Sequence, residues 1–287
     1  RRQRQMCIRD RIYRGMAIGT AAPTPEEMEG VPHHMIGVAD PAESWSVSRF
    51  TEAADRCVQD ILSRGKLPVL VGGTGLYLDA LVRGNTFAAG QQGGAVRQEL
   101  QERLAQEGAA ALLAELAAVD PETAARLHLR DEKRILRALE VYRETGETIS
   151  EHDRKSRETP DRYDALYIGL SFRDRQDLRD RIDRRVDAMV AQGLLDEVRR
   201  LLDSGLPRDA TALQAIGFNQ FLAVADGTAT EAEAVEEVKL RSRQYAKRQL
   251  TWLRRNPDIH WILWEKEPDF PWALQNATDF LTAAGVC

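Results

Sequence analysis

The sequence predicts an α/β fold interrupted by an all-helical insert, and three observations point there. Short apolar runs bounded by turn residues, Pro68–Val71, Leu166–Phe172 and His260–Trp264, read as buried strands. The first runs directly into glycines and an amphipathic helical pattern, the strand–helix unit from which parallel sheets are built. Between the first two runs, the chain from Ala95 to Ile149 carries helical periodicity alone.

In chain order, Arg1–Arg11 (RRQRQMCIRDR) has neither a helical nor a strand period and reads as a non-native or disordered lead-in. Ser46–Arg64 is predicted to be a helix, with Phe50, Ala53, Ala54, Cys57, Val58, Ile61 and Leu62 on one face, Ser46 or Ser48 as its cap and Gly65 as its stop. Leu67–Tyr77 (LPVLVGGTGLY) is the most informative stretch. Its glycines allow close backbone approach to a ligand, the helix that follows presents free N–H groups and a positive dipole end, and Thr74 places a hydroxyl between them. This suits a phosphate or a developing negative charge, but no Lys-Ser/Thr follows the glycines, so the segment is not a Walker P-loop.

Asn85–Gly94 is polar and glycine-rich and marks a boundary. The insert then reads as helices over Ala95–Gln106, Ala109–Ala118, Pro121–Leu127 and Asp131–Thr145, with Asp120-Pro121 as a cap and first turn. Glu151–Tyr163 is charged and reads as irregular. After the second strand, long helices are expected over Arg175–Ser204, Ala210–Val224 and Thr230–Arg255.

Composition narrows the function. With 287 residues, 43% hydrophobic and 30% charged, the chain is an ordinary globular protein in make-up. No run of about 18 apolar residues predicts a membrane span, and no apolar signal core follows the basic start. Cys7, Cys57 and Cys287 lack metal-site spacing, so a reduced, cytoplasmic protein without a zinc site is expected. His33-His34 after Pro32 is read as structural. A net charge of −5 argues against a uniformly basic nucleic-acid binder, but the distribution matters more than the sum.

Lys239–Arg255 (KLRSRQYAKRQLTWLRR) holds seven Lys or Arg and no acid, with Tyr245 and Trp252 interleaved, which points to contact with a polyanion such as nucleic-acid phosphates. Arg173–Arg185 is equally arginine-dense but interspersed with Asp174, Asp177, Asp180 and Asp183, so helix-surface pairs are expected there, with one or two arginines left to meet a diphosphate. Lys133, Arg134 and Arg137 form a smaller basic face. Gly217 sits inside a helical pattern at a cost of about 1 kcal/mol against alanine, a cost that close approach of a partner would offset.

Taken together, Tyr13-Arg14-Gly15-Met16 with Ile18-Gly19-Thr20-Ala21, Val31-Pro32-His33-His34, Val71–Tyr77, Arg134–Tyr142, Ile216-Gly217-Phe218 and Lys247–Arg254 form an ordered set. The set resembles the tRNA dimethylallyltransferase family, the isopentenyl-diphosphate transferases that modify an adenosine beside the anticodon. The resemblance covers nearly the whole chain from Ile12 onward. It implies a P-loop NTPase-like parallel-sheet core (residues 12–90 and 164–287) with an all-helical insert (91–163) that grips the anticodon arm. It also implies a monomer that uses Mg²⁺ and moves a dimethylallyl group from its diphosphate to N6 of adenosine 37 of tRNA.

By the same resemblance, Thr74 stabilises the departing diphosphate oxygen, and Gly72, Gly73 and Arg181 or Arg185 bind the diphosphate. The implied tRNA contacts are Arg97, Lys133, Arg134, Arg137, Gln214, Gly217, Phe218, Asn219, Lys247, Arg248, Gln249, Thr251, Trp252 and Arg254. Two departures stand out. The family's Gly-Lys-Ser/Thr loop occurs nowhere in this sequence, and the position of its general-base aspartate, five residues before Tyr13, is Ile8, with Asp10 out of register by two. The expectation is therefore an amino-terminally truncated enzyme, weak or inactive in catalysis, with tRNA binding retained. The competing expectations are an adenylate isopentenyltransferase acting on AMP, which needs neither the insert nor the basic helix, and a non-catalytic RNA-binding remnant.

Overall fold

The computed structural model describes residues 10–85, 94–158 and 160–286. It divides into two compact units, one formed by Arg1–Leu81 with Asp164–Cys287 and the other by Val82–Tyr163. The arrangement is α/β and helix-rich. Of the expected lead-in, positions 1–9 lie outside the described residues, but Arg11 is tied into the fold. Its guanidinium donates to the Thr20 carbonyl (3.3 Å), and its own carbonyl accepts from Gly37 N–H (2.9 Å).

The first segment begins with an isolated parallel bridge, Tyr13 to Ala39, flanked by the fully buried Ile12 and Met16. Helix α1 (Pro25–Met28) is a single turn held by a capping box between Thr24 and Glu27. Helix α2 (Val47–Ser63) starts at Ser46, whose hydroxyl accepts from Arg49 N–H (3.2 Å), as expected. Its buried Phe50 meets Tyr77 edge-on at 5.0 Å, so α2 packs on α3 (Gly75–Arg83). The expected strand Pro68–Val71 is not one. The segment is irregular, Val69 is 74% exposed and Val71 67%, and among the described residues no strand pairs with it. A β-propensive run becomes a strand only where a neighbour accepts its ladder bonds.

The helical unit comprises α4 (Ala95–Val119), α5 (Pro121–Arg126), α6 (Glu132–Thr145) and α7 (Ile149–Glu158). Helix α4 is the two helices expected from sequence, joined at Gly108, whose φ of +80° kinks the axis. Leu100, Leu112, Leu116, Ile135, Leu136 and Leu139 form its core. Asp120, 2% exposed, accepts from Thr123 N–H (3.0 Å) and Ser150 N–H (3.1 Å) and so caps α5 while anchoring α7. Burial opposes ionisation of Asp120, but its hydrogen bonds outweigh that and hold its carboxyl below the usual range. The charged stretch expected to be irregular is helical over α7, because this anchor satisfies the amide of the helix's second residue.

The second segment of the larger unit starts with β1 (Tyr167–Phe172) and ends with β2 (Ile259–Trp264) and α12 (Phe270–Ala283), a helix that the sequence pattern did not predict. The two strands pair in parallel, Tyr167 opposite Ile259 through Phe172 opposite Trp264, so the chain between them is a long crossover. Phe172, Ile262, Trp264 and Ala273 make a core with Leu178 and Phe270 around it. The crossover contains α8 (Arg175–Ala191), α9 (Leu194–Asp203), α10 (Phe218–Ala225) and α11 (Glu231–Leu253). The single helix expected over Arg175–Ser204 is broken at Gly193 (φ +94°), and Gly217 (φ +102°) stands just before α10 rather than inside a helix.

One side chain stitches the two segments of this unit together. Glu197 on α9, 3% exposed, accepts from Ile18 N–H (2.9 Å) and Gly19 N–H (2.8 Å), 179 and 178 residues away in sequence. Gly19 is obligatory at this junction, since a Cβ there would collide with the Phe218 ring and with Leu194. Burial pushes the Glu197 carboxyl above its ordinary 4.5, against the pull of the backbone N–H groups and Arg200.

Glu197→Ala leaves buried amides without an acceptor and is expected to cost about 2–4 kcal/mol in urea unfolding. Because the folded-state pKa is raised, the carboxyl favours folding most at pH below 4.5, and that advantage is lost as pH rises through the raised value. The stability difference between wild type and Glu197→Gln should therefore shrink as pH rises from about 4 and level off above the raised pKa.

Candidate functional site

The turn Gly72–Thr74 delivers the chain into α3. The Thr74 carbonyl accepts from Tyr77 N–H (2.9 Å) and Leu78 N–H (3.2 Å), so Thr74 is the last residue before the helix and the first amides of α3 open toward the turn. Thr74 is half-buried, with its hydroxyl oxygen 3.5 Å from that of Tyr245 on α11.

Helix α11 is the back wall of this turn. Tyr245, Gln249 and Trp252, spaced four and three residues apart, share one face of the helix. A Cβ on Gly73 would collide with the Gln249 carboxamide, and one on Gly75 with the Trp252 indole. The two glycines therefore serve close approach of α11, and neither has a positive φ. The Trp252 indole N–H donates to Asp79 (2.9 Å), which fixes α11 to α3. The Gln249 amide nitrogen is buried and has no hydrogen-bond partner among the described residues. Gln249 and Trp252, expected as tRNA contacts, thus first of all wall the turn, although Trp252 stays 38% exposed.

The basic stripe divides in two. In its first half Lys239 pairs with Asp187 (2.7 Å), Arg241 with Glu237 (2.6 Å) and Arg243 with Asp183 (2.6 Å). Donating a hydrogen bond to the Asp187 carboxylate raises the Lys239 pKa. The acids that the stripe itself lacks are supplied by α8 and by the preceding turns of α11. In its second half Lys247, Arg248 and Arg254 are exposed, Arg248 lies over the Tyr245 ring at 5.6 Å and Arg255 over the Trp252 ring at 5.4 Å. Thr251 is exposed and its hydroxyl donates to the Lys247 carbonyl (2.9 Å). Arg181 and Arg185 are half-buried on α8.

Other expected contacts distribute unevenly. Gln214 and Asn219 are exposed, but Gly217 is buried and Phe218 fully so. Phe218 is therefore a core residue packed on Gly19 and offers no surface to an RNA, which corrects the expectation from sequence; aromatic character alone could not separate the two roles. In the helical unit, Arg97 (3.8 Å) and Arg137 (2.9 Å) converge on the buried Glu140. Their charge is partly engaged within the unit, while Lys133 and Arg134 are exposed, Arg134 beside Asp131 at 3.3 Å. His33 and His34 are exposed, and His33 Nδ1 donates to the Val31 carbonyl (2.8 Å). Among the described residues no group of three His, Cys, Asp or Glu side chains could hold a metal. Tyr245, Asp79 and Glu197 carry structural roles here that sequence pattern did not single out. For Tyr245, its i, i+4, i+7 spacing with Gln249 and Trp252 is the signal that could have found it.

The sequence pattern of the IPP transferase family matches residues 11–256. A tRNA dimethylallyltransferase of Halalkalibacterium halodurans is 44% identical over 88% of this chain and 79% of its own length, and that of Bacillus subtilis matches with the same figures. Among solved structures, the tRNA isopentenylpyrophosphate transferase of Bacillus halodurans superposes with a TM-score of 0.68 at 40% identity, covering 95% of this chain and 84% of that one. A eukaryotic dimethylallyltransferase acting on tRNA gives a TM-score of 0.77 at 27% identity, over 96% and 71% of the two chains.

Gly75→Ala is expected to displace the Trp252 indole, lower stability by about 1–3 kcal/mol through overpacking and shift tryptophan emission. The emission shift should vanish in a Trp252→Phe background, and its persistence there would show that the contact is not its source.

Proposed function

The chain belongs to the IPP transferase family, and from that premise we propose that it moves a dimethylallyl group from dimethylallyl diphosphate to N6 of adenosine 37 of tRNA, releasing diphosphate. The activity is that of a tRNA dimethylallyltransferase, a prenyl transferase. The observation that carries the assignment of residues is the turn at Thr74, with a hydroxyl, the open amides of α3 and a buried amide donor gathered at one place.

In the reaction the N6–carbon bond forms as the bond from the allylic carbon to the diphosphate oxygen breaks, the diphosphate leaves with that electron pair, and N6 gives up its proton to solvent. Negative charge grows on the departing oxygen. Donors already fixed where that charge develops lower the barrier, because they need no reorientation as it appears. We assign the Thr74 hydroxyl to the departing oxygen and the amides after Gly72-Gly73 to the adjoining phosphate oxygens. The Gln249 amide, which costs about 1–3 kcal/mol while unpaired, regains a partner when a diphosphate oxygen enters. Arg181 and Arg185 supply the planar, bidentate donors that suit diphosphate.

The described residues do not fit a protein cage for Mg²⁺. Mg²⁺ is commonly carried by substrate phosphates with few protein ligands, and we place it on the diphosphate.

For the RNA, chemistry on N6 requires the base to leave its stack, at a cost of a few kcal/mol. Lys247, Arg248 and Arg254 on α11 would hold the phosphates, with Thr251, Gln214 and Asn219 as polar contacts, while Lys133 and Arg134 would extend the grip onto the anticodon arm. The fold this implies is a P-loop NTPase-like core into which the helical unit is inserted, and the parallel β1–β2 pair joined through a crossover supports it. Free AMP would need neither the basic helix nor the insert, and the relatives are named for tRNA.

Thr74→Ala should lower the single-turnover rate of prenyl transfer to an anticodon stem-loop about 10²-fold while stem-loop affinity stays within about twofold of wild type. An unchanged rate would remove Thr74 from the reaction.

A further inference from the structure

We propose that α8 carries a second bank of RNA-phosphate ligands, so that tRNA is held in the groove between α8 and α11 rather than on α11 alone. The inference rests on the reading above that α11 meets tRNA. The groove encloses about 570 Å³ and is lined by Arg175, Arg179, Arg243, Lys247 and Arg254 against a single carboxylate, Asp183.

The sequence suggested that the aspartates of α8 neutralise the arginines of α8. The structure directs two of them to α11 instead and leaves a third on a neutral partner. Asp183 is taken by Arg243 of α11 (2.6 and 2.9 Å), Asp187 by Lys239 of α11 (2.7 Å), and Asp180 accepts from Gln176 (2.7 Å). Arg175 and Arg179 are exposed and, among the described residues, have no carboxylate within 4.0 Å; the same holds for Lys247 and Arg254 across the groove. Four uncompensated cations around one concavity, in a chain of net charge −5, make a local positive potential that a polyanion relieves.

The spacing selects the kind of anion. Arg175 and Arg179 lie one turn apart, about 6 Å along α8, and Lys247 and Arg254 two turns apart, about 10 Å along α11. Charges spread over that length exceed one phosphate or diphosphate and match a chain of phosphates. Leu178, Ile182 and Leu250 also line the groove, giving it apolar surface against which sugars and base faces can lie.

Fluorescence anisotropy of a labelled anticodon stem-loop over 50–300 mM KCl tests the proposal. The Arg175→Ala/Arg179→Ala double variant should raise Kd about 5- to 20-fold near 100 mM salt and reduce the magnitude of the log Kd against log salt slope by about 1–2. The Lys/Lys double variant at the same positions should bind within about threefold of wild type, because it keeps the charge. A loss in Lys247→Ala/Arg254→Ala with no change in the α8 variant would overturn the second bank and leave the role of α11 standing. No loss in either, or no binding by the unmodified chain, would overturn both. Circular dichroism confirms that each variant is folded before it is scored.

Discussion

The larger unit depends on one buried carboxylate. Its two segments are separated by the whole helical unit, so nothing in local sequence brings them together. Glu197 does so by accepting from consecutive backbone amides of Ile18 and Gly19. A carboxyl group suits this task because a single side chain offers two oxygens to two adjacent donors. The same burial that makes ionisation costly keeps water from competing for those donors. Around it Gly19, Phe218 and Leu194 close with no space to spare, and α9 and α10 are thereby set against the first segment of the chain.

The geometry also shows two distinct uses of glycine. Gly193 and Gly217 adopt left-handed backbone and break what sequence periodicity reads as continuous helix. Gly19, Gly73 and Gly75 are needed because another side chain stands where a Cβ would be. Only the second class lines the candidate site, where it lets α11 come close enough to back Thr74 with Tyr245, Gln249 and Trp252.

Much of this was legible in the sequence. Helix α2, helices α4 to α6, and β1 and β2 follow from periodicity and caps, and Thr74 stands, as expected, in a turn before a helix. What escaped was decided by partners distant in sequence. Pro68–Val71 has strand composition but no neighbour to pair with among the described residues. Phe218 was expected to contact tRNA and is core, and nothing in the local pattern singled out Glu197. The charges of α8 illustrate the same limit: alternation of Arg and Asp predicts pairing along the helix, whereas Asp183 and Asp187 turn across to α11. Local pattern gives the inventory of charges, and only packing says which remain uncompensated.

The long reach of Glu197 also orders events during synthesis. The helical unit is continuous in sequence and buries its own leucine core, so it can fold as soon as it has emerged from the ribosome. The segment from Asp10 to Leu81 cannot. Its Ile18 and Gly19 amides wait for a carboxylate that is translated nearly 180 residues later. Until then Ile12 and Met16, fully buried in the finished fold, also wait, which leaves this earlier segment dependent on protection from aggregation for longer than the helical unit.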